Sequence, residues 1–530
     1  MTAIRRRTLL AAGCASGVGV LGAGSAYGGS PGGGAAGSPG AALRGGWRPG
    51  RADKALVGRW ARDTWRSLVA MTDERTGLPA DNIGASVSNP VRSQYTSPTN
   101  IGGYLWSTVV ARELGIISPQ ESLRRITQTL TTMRRVDHHE PSGMYFNWYD
   151  EATGEVRYTD PDGTKPITPF VSSVDNGWFA CALMVVRNAE PRARKLADEL
   201  LNKMNFAYYY NAAARPGGLM RGGFFETSPP DEETEKGNHT GSGPDVYYRK
   251  FHYDTLNTEA RIAGYIGLIL GQVPPSWYFA TYRTFPDSCD WSWVEQKPKG
   301  VHRTYLGLDV FEGTYSYRGM RLVPSWGGDM FESLMPDLFV PEAAWAPRSW
   351  GVNHPLTVRA QLEHGLDEAK YGYWGFSPAS NPKGGYSVYG VEAIGMDPGG
   401  YPSDLEATNH DAGFEGCREG TNPTPAYGDG VVTPHAAFLA MAYAPRQAID
   451  NLRRIETDLH AYGAGGFYDS VAVKSGLIAQ RYLSLDQAMV MGAIGNVFGN
   501  DLIRRSFADR RAERGIRPVI GIERFEAGLE

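Results

Sequence analysis

This 530-residue chain has no excess of positive charge, no long apolar run in its body and little cysteine. Its 53 Lys and Arg face 57 Asp and Glu for a formal net charge of -4, so it offers no positive field for a polyphosphate backbone. Nucleic acid is not an expected partner. No stretch beyond the N-terminus reaches the roughly 18 consecutive apolar residues of a membrane span. Beyond the leader the cysteines are Cys181, Cys289 and Cys417, an odd set that excludes a complete disulfide framework. Cys181, inside GWFACALMVV, reads as a small buried apolar side chain, whereas Cys289 and Cys417 lie in loop-like sequence and are available to pair. None of them sits in a CxxC pair. There is no HExxH, and His138-His139-Glu140 lacks the spacing that puts two ligands on one helix face. Neither a phosphate-binding loop nor a dinucleotide fingerprint follows a strand-like run. No metal and no cofactor are therefore expected.

What is present begins with MTAIRRRTLLAAGCASGVGVLGAGSA, residues 1–26, a basic start followed by a small-residue apolar stretch with a cleavage site after Ala26. Arg6-Arg7 followed by Thr8-Leu9-Leu10 resembles a twin-arginine signal, so the protein is expected to be exported, extracellular or periplasmic. Cys14 ends a run that resembles a lipid-attachment site, although Ala11 matches it poorly, and a lipid anchor there stays open. Residues 27–52 form a Gly/Pro/Ser-rich linker with nothing to bury. Within it Gly28-Gly-Ser-Pro-Gly32 matches the serine-hydrolase pattern by chance, since no strand precedes it and no helix follows. One domain is expected over 53–510, with 511–530 as a C-terminal tail.

From Asp53 onward the dominant period is helical. Six segments are apolar nearly all round and open on polar residues: SPTNIGGYLWSTVVARELG, SSVDNGWFACALMVVRN, TLNTEARIAGYIGLILG, GGDMFESLMPDLFV, TPHAAFLAMAYA and SLDQAMVMGAIGNVFG. Others, such as PQESLRRITQTLTTMRRV, PRARKLADELLNKMNFAYYY, PLTVRAQLEHGLDEAKYG and APRQAIDNLRRIETDLHAYG, carry one apolar stripe and a charged face. A helix apolar on all sides must be enclosed by protein, and a striped one faces water, so an inner and an outer ring are expected. The fold class is all-α, an (α/α)6 toroid. Gly- and aromatic-rich runs follow the outer helices (GMYFNWYD, GGLMRGGFFE, YGYWGFSP, GAGGFYDSV) and would gather with the inner-helix starts at one rim, giving a cleft suited to sugar faces and hydroxyls. Two long polar stretches, 215–249 and 396–430, are expected to line or cover that cleft. The acidic run Asp231-Glu-Glu-Thr-Glu235 lacks the alternating ligands of a calcium loop and reads as a solvated loop.

The chemistry is expected from carboxylates at that rim. Glu332 sits among Trp326, Met330, Phe331 and Leu334, where burial would favour its neutral form and a helix start would oppose this. It is either a proton donor or the capping residue of its own helix. Asp254 and Glu259 stand at the mouth of another inner helix, where Glu259 could instead pair with Arg261 or His252. Acids from two inner helices facing each other are what glycoside hydrolysis requires. Asp175, Asp486 and Glu392, with Trp326 and Tyr389, are candidate sugar contacts, although helix capping is the ordinary task of such aspartates.

Taken together, YTSPTNIGGYLWS, GMYFNWYD, VSSVDNGW, NTEAR, GTYSYRGMRLVPSWGGDMFESLMPDLF, GGYSVYGVEAIGMDP, DGVVTPHAAFLAM, GGFYDSV and RYLSLDQAMV resemble the glycoamylase-like family of (α/α)6 glycoside hydrolases, from about Asp53 to Phe507. That family includes bacterial endo-β-1,2-glucanases and the ring-closing domain of cyclic β-1,2-glucan synthases. The resemblance implies catalytic roles for Glu259 and Glu332, a substrate contact at Asp175, and a monomer acting on an oligosaccharide or polysaccharide, β-1,2-glucan foremost. The alternatives it leaves are another cell-envelope glycan, a catalytically silent sugar-binding protein, or a toroidal polysaccharide lyase.

Overall fold

The structure is a computed structural model that describes residues 47–286, 288–289, 295–396, 416–417 and 427–530. The stretch read as an export signal, Cys14 and most of the linker lie outside the described residues. Twelve helices position the site. In chain order they are α1 (Arg51–Met71), α2 (Pro98–Glu113), α3 (Pro119–Met133), α4 (Ser173–Ala189), α5 (Arg194–Leu201), α6 (Arg261–Leu270), α7 (Met330–Leu334), α8 (Trp350–Glu363), α9 (Pro434–Ala440), α10 (Pro445–Thr457), α11 (Ser484–Val497) and α12 (Arg510–Ile520).

The six windows without a polar face are α2, α4, α6, α7, α9 and α11, each buried along nearly its whole length. They lie side by side: α2 packs on α4, α4 on α6, α7 on α9, α9 on α11, and α11 on α2. Between α6 and α7 the link is Arg261, which donates to the main-chain oxygens of Glu332 (2.8 Å) and Ser333 (2.7 Å). Each buried helix also packs against a second helix, with α1 on α11, α3 on α2, α5 on α4, α12 on α6, α8 on α7 and α10 on α9. The outer helices bury stripes spaced three or four residues apart, for example Ala448, Ile449, Leu452 and Ile455 of α10.

Three sequence expectations change in detail. Helix α8 starts at Trp350 rather than Pro355 and is buried on most sides, including Asn353, His354, Thr357 and Gln361. The short helix Glu342–Trp345 packs on it and the Phe525 ring meets Trp350 edge-on at 5.2 Å, while Val352, Arg359 and Glu363 keep a half-buried stripe. Residues 511–530, read as a tail, hold most of α12 and the fully buried Glu523.

The chain also carries a fringe of short strands that an all-α reading omits. Strand β1 (Asn82–Gly84) pairs with β6 (Arg481–Leu483). Strands β2 (Phe170–Ser172), β3 (Gly223–Phe225), β4 (Thr234–Gly237) and β5 (Val246–Arg249) form a sheet in the order β2-β3-β5-β4, built largely from the 215–249 stretch. The acidic run there is solvent-exposed at Asp231, Glu233 and Glu235, and its glutamates are paired, Glu232 with Arg249 (2.7 Å), Glu233 with Lys250 (2.5 Å) and Glu235 with Arg221. Of the second stretch, residues 397–415 and 418–426 lie outside the described residues. Cys289 and Cys417 form a disulfide and Cys181 is a buried thiol. Among the described residues no helix is long and apolar enough to cross a membrane.

Candidate active site

The first turn of α4 and the turn before α6 line the site. On α4 the cap is Ser172, whose hydroxyl accepts the Asp175 N–H at 3.2 Å. The Asp175 carboxylate is therefore not needed for capping and instead accepts from Thr99 Oγ1 (2.6 Å) and Asn147 Nδ2 (3.0 Å). Glu259, in the turn before α6, is 8% exposed and accepts a hydrogen bond from the Trp178 indole of α4. Asp175 and Glu259 line the same cavity of about 430 Å³. Phe170 of β2 and Phe225 of β3, a cross-strand pair with ring centroids 5.0 Å apart, form part of its wall. The Arg249 guanidinium lies 4.3 Å from the Phe170 ring centre, a cation over an aromatic face. The 215–249 stretch thus lines the cavity, as the sequence led one to expect.

Glu332 lies in the five-residue helix α7 and is fully buried. The capping role open to it in sequence falls to Asp329, whose Oδ1 accepts the Glu332 N–H at 2.9 Å. Glu332 turns its own Oε2 back onto the Gly327 N–H, also at 2.9 Å. This turn is clamped against residues 391–396 by main-chain bonds from Val391 to Gly328, Ser325 to Ile394 and Met396 to Trp326. Gly328 has φ +60, and a Cβ there would lie 2.2 Å from the Val391 oxygen, so the approach requires glycine. The clamp puts Glu392 beside the Glu332 turn.

Arg261 joins the two acid-bearing turns. One of its nitrogens donates to the carbonyls of both Thr258 (2.9 Å) and Glu332 (2.8 Å), while two others hold Glu342 at 2.8 Å each. Tyr265 and His354 complete the shell of Glu342 at 2.8 and 3.0 Å. Burial alone would raise the Glu342 carboxyl, but Arg261 and then His354 outweigh it and hold it at about 2. The sequence allowed Arg261 to pair with Glu259, and the structure gives that ion pair to Glu342.

Asp329 was not singled out in sequence, where GGDMFE reads as an ordinary helix start. It is fully buried, and burial pushes its carboxyl up to about 7 against the pull of the Glu332 and Phe331 N–H groups, with the nearby Glu259 charge adding to the rise. Its Oδ2 has no hydrogen-bond partner. Three carboxyl groups, of Glu259, Asp329 and Glu332, thus belong to adjoining helix starts, and one of them is suited to hold a proton near neutrality.

The remaining candidates are distributed around this centre. Asp486, in the first turn of α11, groups with His435 at the start of α9 and with Asp469, their ligand atoms all within 4.8 Å of one another. Burial, and then the Asp486 charge, raise the Asp469 carboxyl well above its usual range. Asp469 falls within GGFYDSV, where the aromatics drew attention and the acid did not. A second such group, Asp337, Glu342 and His354, is taken up by ion pairs, with Arg504 on Asp337 at 2.6 Å and Arg261 on Glu342. Trp326 is 5% exposed and packs edge-on against Phe285, so its ring is core rather than an open platform. Tyr389 is buried in a small cluster with Ala379, Val431 and Ala472. Asp254 is half-buried before α6, and its carbonyl accepts the Tyr282 N–H at 2.6 Å.

With this geometry in hand, the comparisons are informative. Residues 298–511 match the Glycoamylase (glucoamylase) family model. That part of the chain is similar to the glycoamylase-like family. Residues 59–219 match a second family model, DUF3131, described only as a protein of unknown function. The chain is 26% identical over 551 residues to the cyclic β-(1,2)-glucan synthase NdvB of Rhizobium meliloti (strain 1021), a match that takes in 84% of this chain. It spans only 18% of that protein's length. Among solved structures it resembles an endo-β-1,2-glucanase from Chitinophaga pinensis in complex with sophorotriose and glucose (TM-score 0.60, 15% identity, 88% of this chain and 98% of that one). It also resembles a β-1,2-glucanase from Parabacteroides distasonis (TM-score 0.63, 16% identity, 88% of this chain and 60% of that one). The chain shares its fold with these glucanases.

Proposed function

We propose that the protein is an exported glycoside hydrolase acting on β-1,2-glucan or a closely related bacterial glycan, with Glu259 and Glu332 as its essential carboxylates. The observation that carries this reading is the Arg261 guanidinium, which binds the main chain of the Glu259 turn and that of Glu332 together at adjoining helix starts. The helix-on-helix neighbours support closure into an (α/α)6 toroid, with the cavity at its rim. Similarity to a cyclic β-(1,2)-glucan synthase and to two β-1,2-glucanases supports the linkage.

The chemistry needs two roles. One carboxyl donates its proton to the glycosidic oxygen as the C1–O bond breaks. The other takes a proton from the water whose oxygen bonds to C1. A low-dielectric site that keeps the neighbouring Asp329 carboxyl protonated near neutrality suits the donor role. Asp175, fixed by Thr99 and Asn147, is placed to accept from a sugar hydroxyl in the cavity, and the Phe170 and Phe225 rings offer apolar faces to the sugar C–H groups. Export is supported by the Cys289–Cys417 disulfide, since such bonds persist in oxidising compartments.

The test is to incubate the purified protein with a panel of bacterial glucans, arabinans and galactans and to read product anomers by NMR. Release of β-1,2-linked oligosaccharides is expected. Binding of a glycan without turnover would make the chain a sugar-binding protein, and unsaturated products absorbing ultraviolet light would make it a lyase.

A further inference from the structure

A second recess, of about 210 Å³, opens at the starts of α2 and α11, and Asp81, Asn82, Tyr95, Asp162, Tyr386 and Arg481 contribute to its lining. Three observations set it against the Glu259 cavity. The Tyr95 ring meets the Trp148 ring edge-on, centroids 6.2 Å apart, and Trp148 lines the cavity. Neighbouring residues of the first turn of α2 serve the two spaces separately, Thr99 donating to Asp175 and Asn100 donating to Asp81 at 2.9 Å. The hairpin closed by the Thr159–Pro166 bridge reaches both, placing Asp162 in the recess and Pro166 in the cavity.

The lining is that of a hydroxyl-binding site. Asp81 is buried and held by Asn100, Tyr95 (2.9 Å) and Asn82 (3.1 Å), so it is a fixed acceptor. Arg481 is an exposed donor at the rim, and Tyr386 is half-buried. Two carboxylates against one guanidinium disfavour an anion, whereas a sugar hydroxyl, donor and acceptor at once, uses both kinds of group.

We propose that this recess is a distal subsite for the glycan bound at Glu259, so that the preferred substrate is an oligomer long enough to cross the Tyr95–Trp148 wall. The inference rests on the glycan-hydrolase reading and extends it to chain length.

The experiment pairs turnover with direct binding. β-1,2-Linked trisaccharide and long linear β-1,2-glucan are compared as substrates of the wild type and of Arg481→Ala and Asn82→Ala. Both are also titrated calorimetrically into Glu259→Gln with and without Arg481→Ala. Arg481→Ala is expected to lower affinity and kcat/KM for the long chain about tenfold and to leave the trisaccharide unchanged, the loss of one charge-assisted contact. An equal effect on both lengths, or none on either, overturns the subsite. Length-dependent binding without turnover at any length would retain the subsite and remove the hydrolase reading. Turnover without length dependence would do the reverse, and absence of binding by either glycan would remove both.

Discussion

The Arg261 guanidinium donates to the main-chain oxygen of Glu332 at 2.8 Å, across 71 residues of sequence. The same nitrogen holds the Thr258 carbonyl, one residue before Glu259. One buried cation thereby fixes the spacing of the two acid-bearing turns, and Glu342 balances its charge.

Arg261→Ala should therefore do two things at once. It leaves Glu342 buried without its cation, a loss of about 3–5 kcal/mol for breaking such a pair, and it releases the two turns from each other. A lower unfolding midpoint together with reduced kcat is expected from thermal unfolding and turnover. A variant with wild-type stability would contradict the role given to this pair.

Asp329 carries a pH dependence with a definite sign. Its carboxyl is raised from 3.8 to about 7, chiefly by burial. The stability linked to its bound proton is fully present below the unfolded value and is lost as pH rises through about 7. Asp329→Asn keeps the shape and removes the titration, so its unfolding midpoint should vary less with pH across that window than the wild type. The alkaline limb of the rate profile should move as well. Parallel stability curves for the two proteins would show that Asp329 is ionised throughout.

A second buried acid gives a control away from the cavity. Glu312 and Glu523 share Arg283, which bonds Glu523 and lies 3.9 Å from Glu312. Burial, then the Glu523 charge, lift Glu312 to about 8. Glu312→Gln should flatten the loss of stability between about pH 5 and 8 by the same linkage, while kcat at neutral pH stays as in the wild type. A fall in kcat matching that of Glu259→Gln would show that this cluster serves the reaction.

The disulfide closes a loop of 128 residues between Cys289 and Cys417. Bridges of this kind contribute about 2–5 kcal/mol, largely by restricting the unfolded chain. Reduction, or Cys289→Ser with Cys417→Ser, should lower the unfolding midpoint. An unchanged midpoint would mean that the bridge constrains only its own neighbourhood.

The sequence exposed the helices because burial on all sides leaves a compositional mark. The α4 window, with no charged side chain between Asp175 and Arg187, has no face it can turn to water. The strands left no such mark. Each is two to four residues long and its partner is remote, as with Asn82 opposite Leu483, so neither period nor turn chemistry announces it. Helix α8 reads as striped because Arg359, Glu363 and Asp367 give PLTVRAQLEHGLDEAKYG a charged face, yet Thr357 and Gln361, polar as they are, lie buried with the apolar residues. At the site, Glu259, Glu332 and Asp175 were legible from acids placed at apolar helix starts. Asp329 was not, because an aspartate before a helix has a sufficient local explanation as its cap, and only its complete burial beside Glu259 marks it out.

The most direct test is turnover of a β-1,2-glucan by Glu259→Gln and Glu332→Gln, each checked for the native circular dichroism spectrum and unfolding midpoint. Each substitution is expected to lower kcat by about 10²–10⁴-fold, the usual scale for a lost proton-transfer group, while leaving the fold intact. Wild-type rates in either folded variant would contradict the paired-carboxylate account.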